Sequence, residues 1–400
     1  MEGDILMKKI PLFLSGYFVA IIGLFFYSYT QVDLSLTFSR ASIFQTIEKG
    51  FQYIGYFNRP LSTDIYTGLL TLLFLFYFGF LYLAKVKQIS RSTVWLVIFA
   101  TTAILLLTYN AFSYDFFNYI FYGKIITHYH QNPYLVKALD FPREPMLSFM
   151  HWTHNTYPYG PIWLVLTVPL SFLGMQYFLP TFFLYKLLAG ACFIGTVYFL
   201  EKILKRIAPD SVVQGLILFA LNPLVYIEML VSAHNDGAMI FFAIFGVYLL
   251  LQKKWVFGLI SILLSIFTKE ATAFLILPAL LYAVQIIFKK QFVSENMFLW
   301  GCALSMIGGF LFAISKIEVQ PWYFVWFFPF IIVFKIPRSI FAVVIGFSFG
   351  LMLRYVPFLY QGDWNGLALV VKNYVTIVTP IIFGFVYGIW YYFTQSHGKA

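Results

Sequence analysis

Charge is scarce in this 400-residue chain. Only 10% of its residues are Asp, Glu, Lys or Arg, against roughly a quarter in an ordinary soluble domain. A chain so poor in charge cannot clothe itself in a hydrated surface, which excludes a soluble enzyme of two or three domains. Cysteine is nearly missing as well: Cys192 and Cys302 both lie inside apolar runs, so neither a disulfide framework nor a thiolate metal motif is indicated. There is no P-loop, no G-x-G-x-x-G following a strand and no internal repeat. Nothing therefore argues for a soluble nucleotide or another cofactor.

What is present is apolar. Hydrophobic residues make up 61% of the chain and aromatic residues 22%, the composition of an all-α polytopic membrane protein. The N-terminal MEGDILMKKI precedes an apolar run without a small-residue cleavage site, which reads as a retained first helix rather than a signal peptide. The apolar runs place spans near 10–29, 66–84, 93–112, 181–201, 212–230, 238–251, 255–268, 272–288, 297–315, 322–334, 339–356 and 366–391. About 11–13 transmembrane helices are expected, in a single domain over 1–400. A further stretch, 161–175, is short and carries Pro169.

The formal charge of +10 does not call for a nucleic-acid partner, because cytoplasmic loops of membrane proteins collect Lys and Arg. The clusters Lys8/Lys9, Lys85/Lys87/Arg91, Lys202/Lys205/Arg206, Lys253/Lys254, Lys289/Lys290, Lys335/Arg338 and Lys399 all fall on one side if 161–175 is re-entrant. Both termini are then cytoplasmic. The segments with unusual polar residues fall on the opposite face: 113–161, the turn from Glu228 to Asp236, Lys269-Glu270, Gln320 to Tyr323, and Arg354 to Trp364. One face manages charge, and the other carries the candidate chemistry.

Residues 113–161 form the expected non-cytoplasmic active-site loop, with short helices of its own. Asp115 stands just after an apolar span, where a carboxylate is costly unless water, a partner or a substrate compensates it. Within hydrogen-bond reach of a hydroxyl it acts as a general base. Asn132-Pro133-Tyr134 and Tyr157-Pro158-Tyr159-Gly160-Pro161 are rigid punctuation, since proline fixes its own φ and extends the residue before it. His128, His130, His151 and His154 match no zinc spacing, so no metal is expected. Pro223 inside a span should break that helix, bringing Glu228 and Asp236 together around His234-Asn235. Lys269 and Arg354 are candidate hydrogen-bond donors to a phosphate, with Glu270 an alternative partner for Arg354.

These residues, in this order, resemble a known group. Asp115, Tyr119, Gly123, Asn132-Pro133-Tyr134 and Tyr157 to Pro161 are similar to the first large outer loop of the glycosyltransferase C superfamily. Asn222-Pro223-Leu224, Glu228, His234-Asn235-Asp236, Lys269, Pro321-Trp322-Tyr323 and Trp326 look like its polyprenol-phosphate-mannose-dependent alpha-mannosyltransferases. The resemblance spans roughly 93–330. It implies a multi-pass enzyme of the plasma membrane that transfers a sugar, mannose by family expectation, from a polyprenyl-phosphate donor to a glycan or glycolipid acceptor. Transfer would be inverting, on the non-cytoplasmic face, among membrane lipids, with Asp115 as base. Ser113-Tyr114 precede Asp115 where many relatives carry a second acid, which argues against metal assistance. The alternative function is a transporter or flippase of a lipid-linked glycan, which would want midplane charges and repeat symmetry.

Overall fold

The computed structural model describes residues 2–397, and among them every regular element is helical. Each expected span overlaps a helix, but 93–112 stops being helical at Leu105, 212–230 is broken at Leu221–Asn222, and 322–334 ends at Ile331. Seven helices are long and apolar enough to cross a membrane alone: Ile10–Thr30, Arg59–Lys85, Phe178–Ile207, Glu270–Phe288, Glu295–Lys316, Arg338–Gln361 and Leu367–Thr394. The bent pair Pro209–Ala220 and Pro223–Val231 is apolar enough to form either an eighth, broken span or a re-entrant loop. The remaining apolar helices, Arg91–Leu105, Pro161–Leu173, Asp236–Leu251, Trp255–Ile266 and Pro321–Ile331, are shorter. Pro161–Leu173 has 13 residues, about 20 Å of helix, well short of the ~30 Å hydrocarbon layer.

The boundaries follow local chemistry. Ser90 and Ser294 cap the helices that follow them by accepting from the amides of Thr93 and Met297. Asn58 does the same for Leu61, with Pro60 in the first turn, where a missing N–H costs nothing. The break expected at Pro223 is real: the two halves meet at 54°. Asn222 caps the second half through the Leu224 amide at 3.0 Å. Helices Arg338–Leu353 and Leu367–His397 cross on Gly346 and Gly350. A Cβ on Gly346 would lie 2.9 Å from Pro380 Cα, and one on Gly350 2.8 Å from the Val375 carbonyl. Only glycine permits that approach, the small-xxx-small logic of membrane helix pairs.

Two cores result. A large one runs through the bundle, and a second joins the segment after residue 109 to the start of Phe178–Ile207 through Phe116, Phe117, Phe149, Trp163 and Phe182. The expected loop 113–161 is thus a packed cap. It holds the buried helix Asp115–Thr127 and two short turns, Ala138–Asp140 and Pro145–Ser148. An amphipathic helix, Ser42–Gln52, was not anticipated from the sequence.

Ion pairs tie some of the basic clusters together at one end of the bundle. Glu201, buried, pairs with Arg91 and Lys205 and accepts from the Trp95 indole, and Arg206 pairs with Glu295. Lys186, on the same helix as Glu201, packs instead against the cap. The 15 positions between them correspond to about 22 Å, so the basic end and the cap are opposite ends of the fold.

Candidate active site

Asp115 opens the helix Asp115–Thr127, and its own amide donates to the Ser113 hydroxyl at 3.2 Å. The unpaired amides of a helix N-terminus favour a negative charge there. Its side chain is 22% exposed, enough to meet a ligand. It looks into a cleft of about 420 Å³ whose walls come from distant parts of the chain. On one side stand Ser113, Tyr114, Asp115, His151 and Trp152; on the other Glu318, Gln320, Pro321, Trp322, Arg354, Tyr355, Phe358, Trp364 and Lys372. Tyr114 lies flat on His151, with ring centroids 3.7 Å apart. Burial lowers the His151 pKa, which Asp33 partly offsets.

Behind Asp115 sits the turn after the Pro223 break. Residues Ile227–Val231 form one wide π-turn, and Ala233 adopts φ 51°, so the chain doubles back and the His234 amide reaches the Glu228 carbonyl at 3.2 Å. The π-turn leaves carbonyls that an ordinary helix would satisfy. Lys186 takes two of them, donating to Leu230 at 2.8 Å and Val231 at 2.5 Å. It is fully buried, beside the Phe116 and Phe182 rings. Sequence reasoning missed Lys186, although a lysine inside an apolar span is a usable signal.

His234 stands between two acids, as expected, but they are not the expected pair. Its Nδ1 is 3.7 Å from Asp115 Oδ2 and its Nε2 3.4 Å from Glu228 Oε2. Its ring lies on Trp322 with centroids 4.0 Å apart. Tyr355 donates to the other Glu228 oxygen at 3.0 Å. Asp236 instead faces Lys269, 2.9 Å from its ammonium, and accepts the Trp326 indole N–H at 2.5 Å. Lys269 is therefore occupied by a carboxylate and does not line the cleft. Asn235 meets the Tyr119 hydroxyl at 3.4 Å, which fixes the turn to the cap.

The cation wall differs from expectation in its partners. Arg354 pairs with Glu318 at 2.5 Å, not with Glu270, and also donates to Thr376 at 2.9 Å and to the Lys372 carbonyl and Asn373 side chain at 3.2 Å. Lys372 reaches the same Glu318 at 2.9 Å and lies over the Trp364 ring. Burial alone would raise the Glu318 carboxyl, but Lys372 and Arg354 outweigh it and hold it below its ordinary value. Two cations share one acid, so this trio carries one net positive charge and faces the Asp115 carboxylate in the same cleft. Glu318 and Lys372 were not singled out from sequence; Lys372 is a lone lysine within the 366–391 span, again the informative kind.

The tyrosine motifs brace the cap and stay out of the cleft lining. Asn132 accepts from the Tyr134 amide at 3.0 Å, and Tyr134 donates to the Tyr159 carbonyl at 3.1 Å. Tyr157 donates through its amide to Pro133 at 2.9 Å and through its hydroxyl to Gly160 at 2.9 Å. Tyr159 packs edge-on against Tyr119. Gly160 runs so close to the Phe267 backbone that a Cβ would sit 2.0 Å from its carbonyl oxygen. Tyr323 is buried against Trp326, 4.2 Å between centroids. Among the described residues no three His, Cys, Asp or Glu side chains converge as a metal site.

Compared with known proteins, residues 38–286 match the family described as alpha-(1->6)-mannopyranosyltransferase, N-terminal domain. No curated protein and no solved structure matches the chain. The matched stretch carries Asp115, Glu228, His234, Asp236, Lys186 and Lys269, and it ends before Glu318, Trp322, Arg354 and Lys372. It covers more than half of the chain, so this multi-pass membrane protein belongs to the alpha-(1->6)-mannopyranosyltransferase family and is a mannosyltransferase.

Proposed function

We propose that the enzyme takes mannose from a polyprenyl-phosphate donor and passes it, with inversion, to a hydroxyl of a glycan or glycolipid acceptor. The whole chain, 1–400, acts as one domain, and the reaction occurs on the non-cytoplasmic face of the plasma membrane. One observation carries this reading: a partly exposed carboxylate, Asp115, shares a cleft with two cations, Arg354 and Lys372, that share a single ion-pair partner, Glu318.

In the step proposed, the acceptor oxygen attacks the anomeric carbon while its proton passes to Asp115. The bond from that carbon to the phosphate oxygen breaks, and the electron pair leaves with the polyprenyl phosphate. Arg354 and Lys372 receive the added negative charge, stabilising it as preorganised donors. The acceptor approaches along the wall of Tyr114, His151 and the half-exposed Trp152, whose rings suit the flat face of a sugar. A donor chain has a path too. Next to Glu318 and Arg354, from Val319 and Thr376, an almost wholly apolar groove of about 540 Å³ runs along Phe310, Phe347 and Pro380. It continues into a second groove of about 530 Å³ that ends near Lys335. An alpha product formed by inversion requires a beta-linked donor.

The polar cap lies at the opposite end from the Arg91–Glu201–Lys205 and Arg206–Glu295 pairs. The positive-inside bias of those basic segments supports the outward placement.

The test is to incubate the purified wild type and Asp115→Asn with radiolabelled polyprenyl-phosphate-mannose and native membrane glycolipids. Transfer by the wild type and its loss by ~10²-fold or more in a folded Asp115→Asn is the expected result. Full activity of Asp115→Asn would move the base elsewhere. Donor movement across vesicles without transfer would favour the flippase.

A further inference from the structure

Behind the cleft lies a buried pair, Glu228 and His234, next to the partly exposed Asp115. We infer that His234 is a positioning residue that acts through Asp115: it receives the proton Asp115 takes from the acceptor, and Glu228 sets its tautomer. This rests on the reading of Asp115 as base.

Glu228 is 1% exposed, and among the described residues the only basic group in ion-pair range of it is His234. An isolated buried carboxylate is costly unless it is paired, and the His234 ring is the partner in reach of Glu228. Glu228 Oε2 and His234 Nε2 face each other at 3.4 Å, and neither makes a well-formed hydrogen bond to any group. A proton on Nε2, directed at Glu228, leaves the Nδ1 lone pair facing Asp115 Oδ2 at 3.7 Å. Buried acid, oriented imidazole, reacting group: the order is that of a serine-protease triad, with Asp115 in place of the serine. Trp322 stacks on the ring face and lines the cleft where His234 does not.

The proton count closes. The acceptor O–H breaks and its proton goes to Asp115 Oδ2, then to His234 Nδ1. The resulting imidazolium lies between two carboxylates. After product leaves, the proton returns through Asp115, the one member open to the cleft, to water.

The ionisable neighbours include Tyr66, whose phenol lies near Glu228, and Glu270, which acts on Tyr323. Asp115 faces the ring from the cap, and Glu228, held by Tyr355, faces it from the π-turn. Asp236 on the following helix is neutralised by Lys269. On the Trp322 side the neighbour is Tyr323, and around Asp115 stand the phenols of Tyr119, Tyr122 and Tyr159.

The experiment uses the full chain in lipid nanodiscs, comparing wild type, His234→Gln, Glu228→Gln and the double variant. Rates are measured across pH 5–9 with polyprenyl-phosphate-mannose and a mannoside acceptor. Expected is a ~10²-fold fall in kcat for each single variant. Both KM values should stay within ~2-fold, and the double variant should be no slower than the slower single, as for residues acting as a unit. The acid limb of kcat against pH should move in both single variants. Superimposable pH profiles, or a loss confined to KM, would overturn the inference in favour of substrate contact.

A second measurement is independent of turnover. Nitrogen-15 NMR of histidine-labelled protein, with the His234 signal assigned by His234→Gln, should give an Nε2–H tautomer in wild type. That preference should weaken in Glu228→Gln. An Nδ1–H tautomer, or one indifferent to Glu228, rejects the relay. An inactive wild type would count against the donor proposed above and leave the NMR result to decide this one.

Discussion

Two ion-pair systems sit a few residues from the same cleft and are built on opposite rules. Lys269 and Asp236 are matched one to one; the carboxylate is buried, and its remaining valence is taken by the Trp326 indole. Glu318 is shared by Arg354 and Lys372 and is the exposed member of its trio, with the two cations beneath it. The first is closed: no charge is left over, and a ligand would have to break it. The second is open, with one positive charge left over within the trio and its carboxylate at the lip. Charge count and exposure together, rather than the mere presence of lysine, mark where an anion would be received.

Exchanging the roles of the two systems would break that contrast. Removing one member of the closed pair should cost most in stability. Asp236→Asn leaves Lys269 beside Trp326 without its counter-charge, an expected loss of ~3–5 kcal/mol as for other broken buried pairs. Denaturant unfolding in mild detergent would measure it. An Asp236→Asn protein as stable as wild type would mean that the pair is not closed at all. Removing a cation from the open system should instead affect donor use. Lys372→Met is expected to raise the donor KM by ~10-fold, the worth of one charge-assisted hydrogen bond, while acceptor KM stays unchanged. Steady-state kinetics separates the two, and equal rises in both would erase the distinction drawn here.

The smallest effect sharpens the comparison through pH. Glu318 is held below its ordinary value by Lys372 and Arg354 against the opposing effect of burial. A carboxyl lowered on folding stabilises the protein above its unfolded pKa of ~4.3, and that stability is lost as pH falls through the folded value. Because Glu318 is 38% exposed, the amount should stay within ~1 kcal/mol. Thermal unfolding of wild type and Glu318→Gln should differ slightly at pH 6 and coincide in strong acid. A gap that widens on acidification would reverse the sign.

Much of the fold was legible because membrane helices are written locally. Apolar run length located the spans, Pro223 marked the break, and Gly160 with Pro161 marked the end of the cap. Crossing numbers were less legible. Trp255–Ile266 and Asp236–Leu251 are apolar, but their lengths depend on what surrounds them. The short Ser42–Gln52 helix went unseen because its pattern is amphipathic rather than continuously apolar. For the site, sequence named Asp115, His234, Glu228, Trp322 and Arg354, all of which the structure gathers around one cleft. It assigned partners poorly. Asp236 was grouped with His234 and belongs to Lys269; Glu270 was offered to Arg354, which takes Glu318.

Residue types and their local order, then, were sufficient for an all-helical membrane enzyme with a polar cap and an acid at the mouth of its first helix. Those properties depend on hydrophobic run length, on proline and on charge asymmetry, each set within a few turns of chain. Which side chains touch was decided only in three dimensions. Asp115 and His234 are 119 positions apart, and Lys186 reaches Leu230 across 44. No local rule encodes such meetings, because they depend on how bent and crossed helices bring carbonyls, rings and charges to the same buried place.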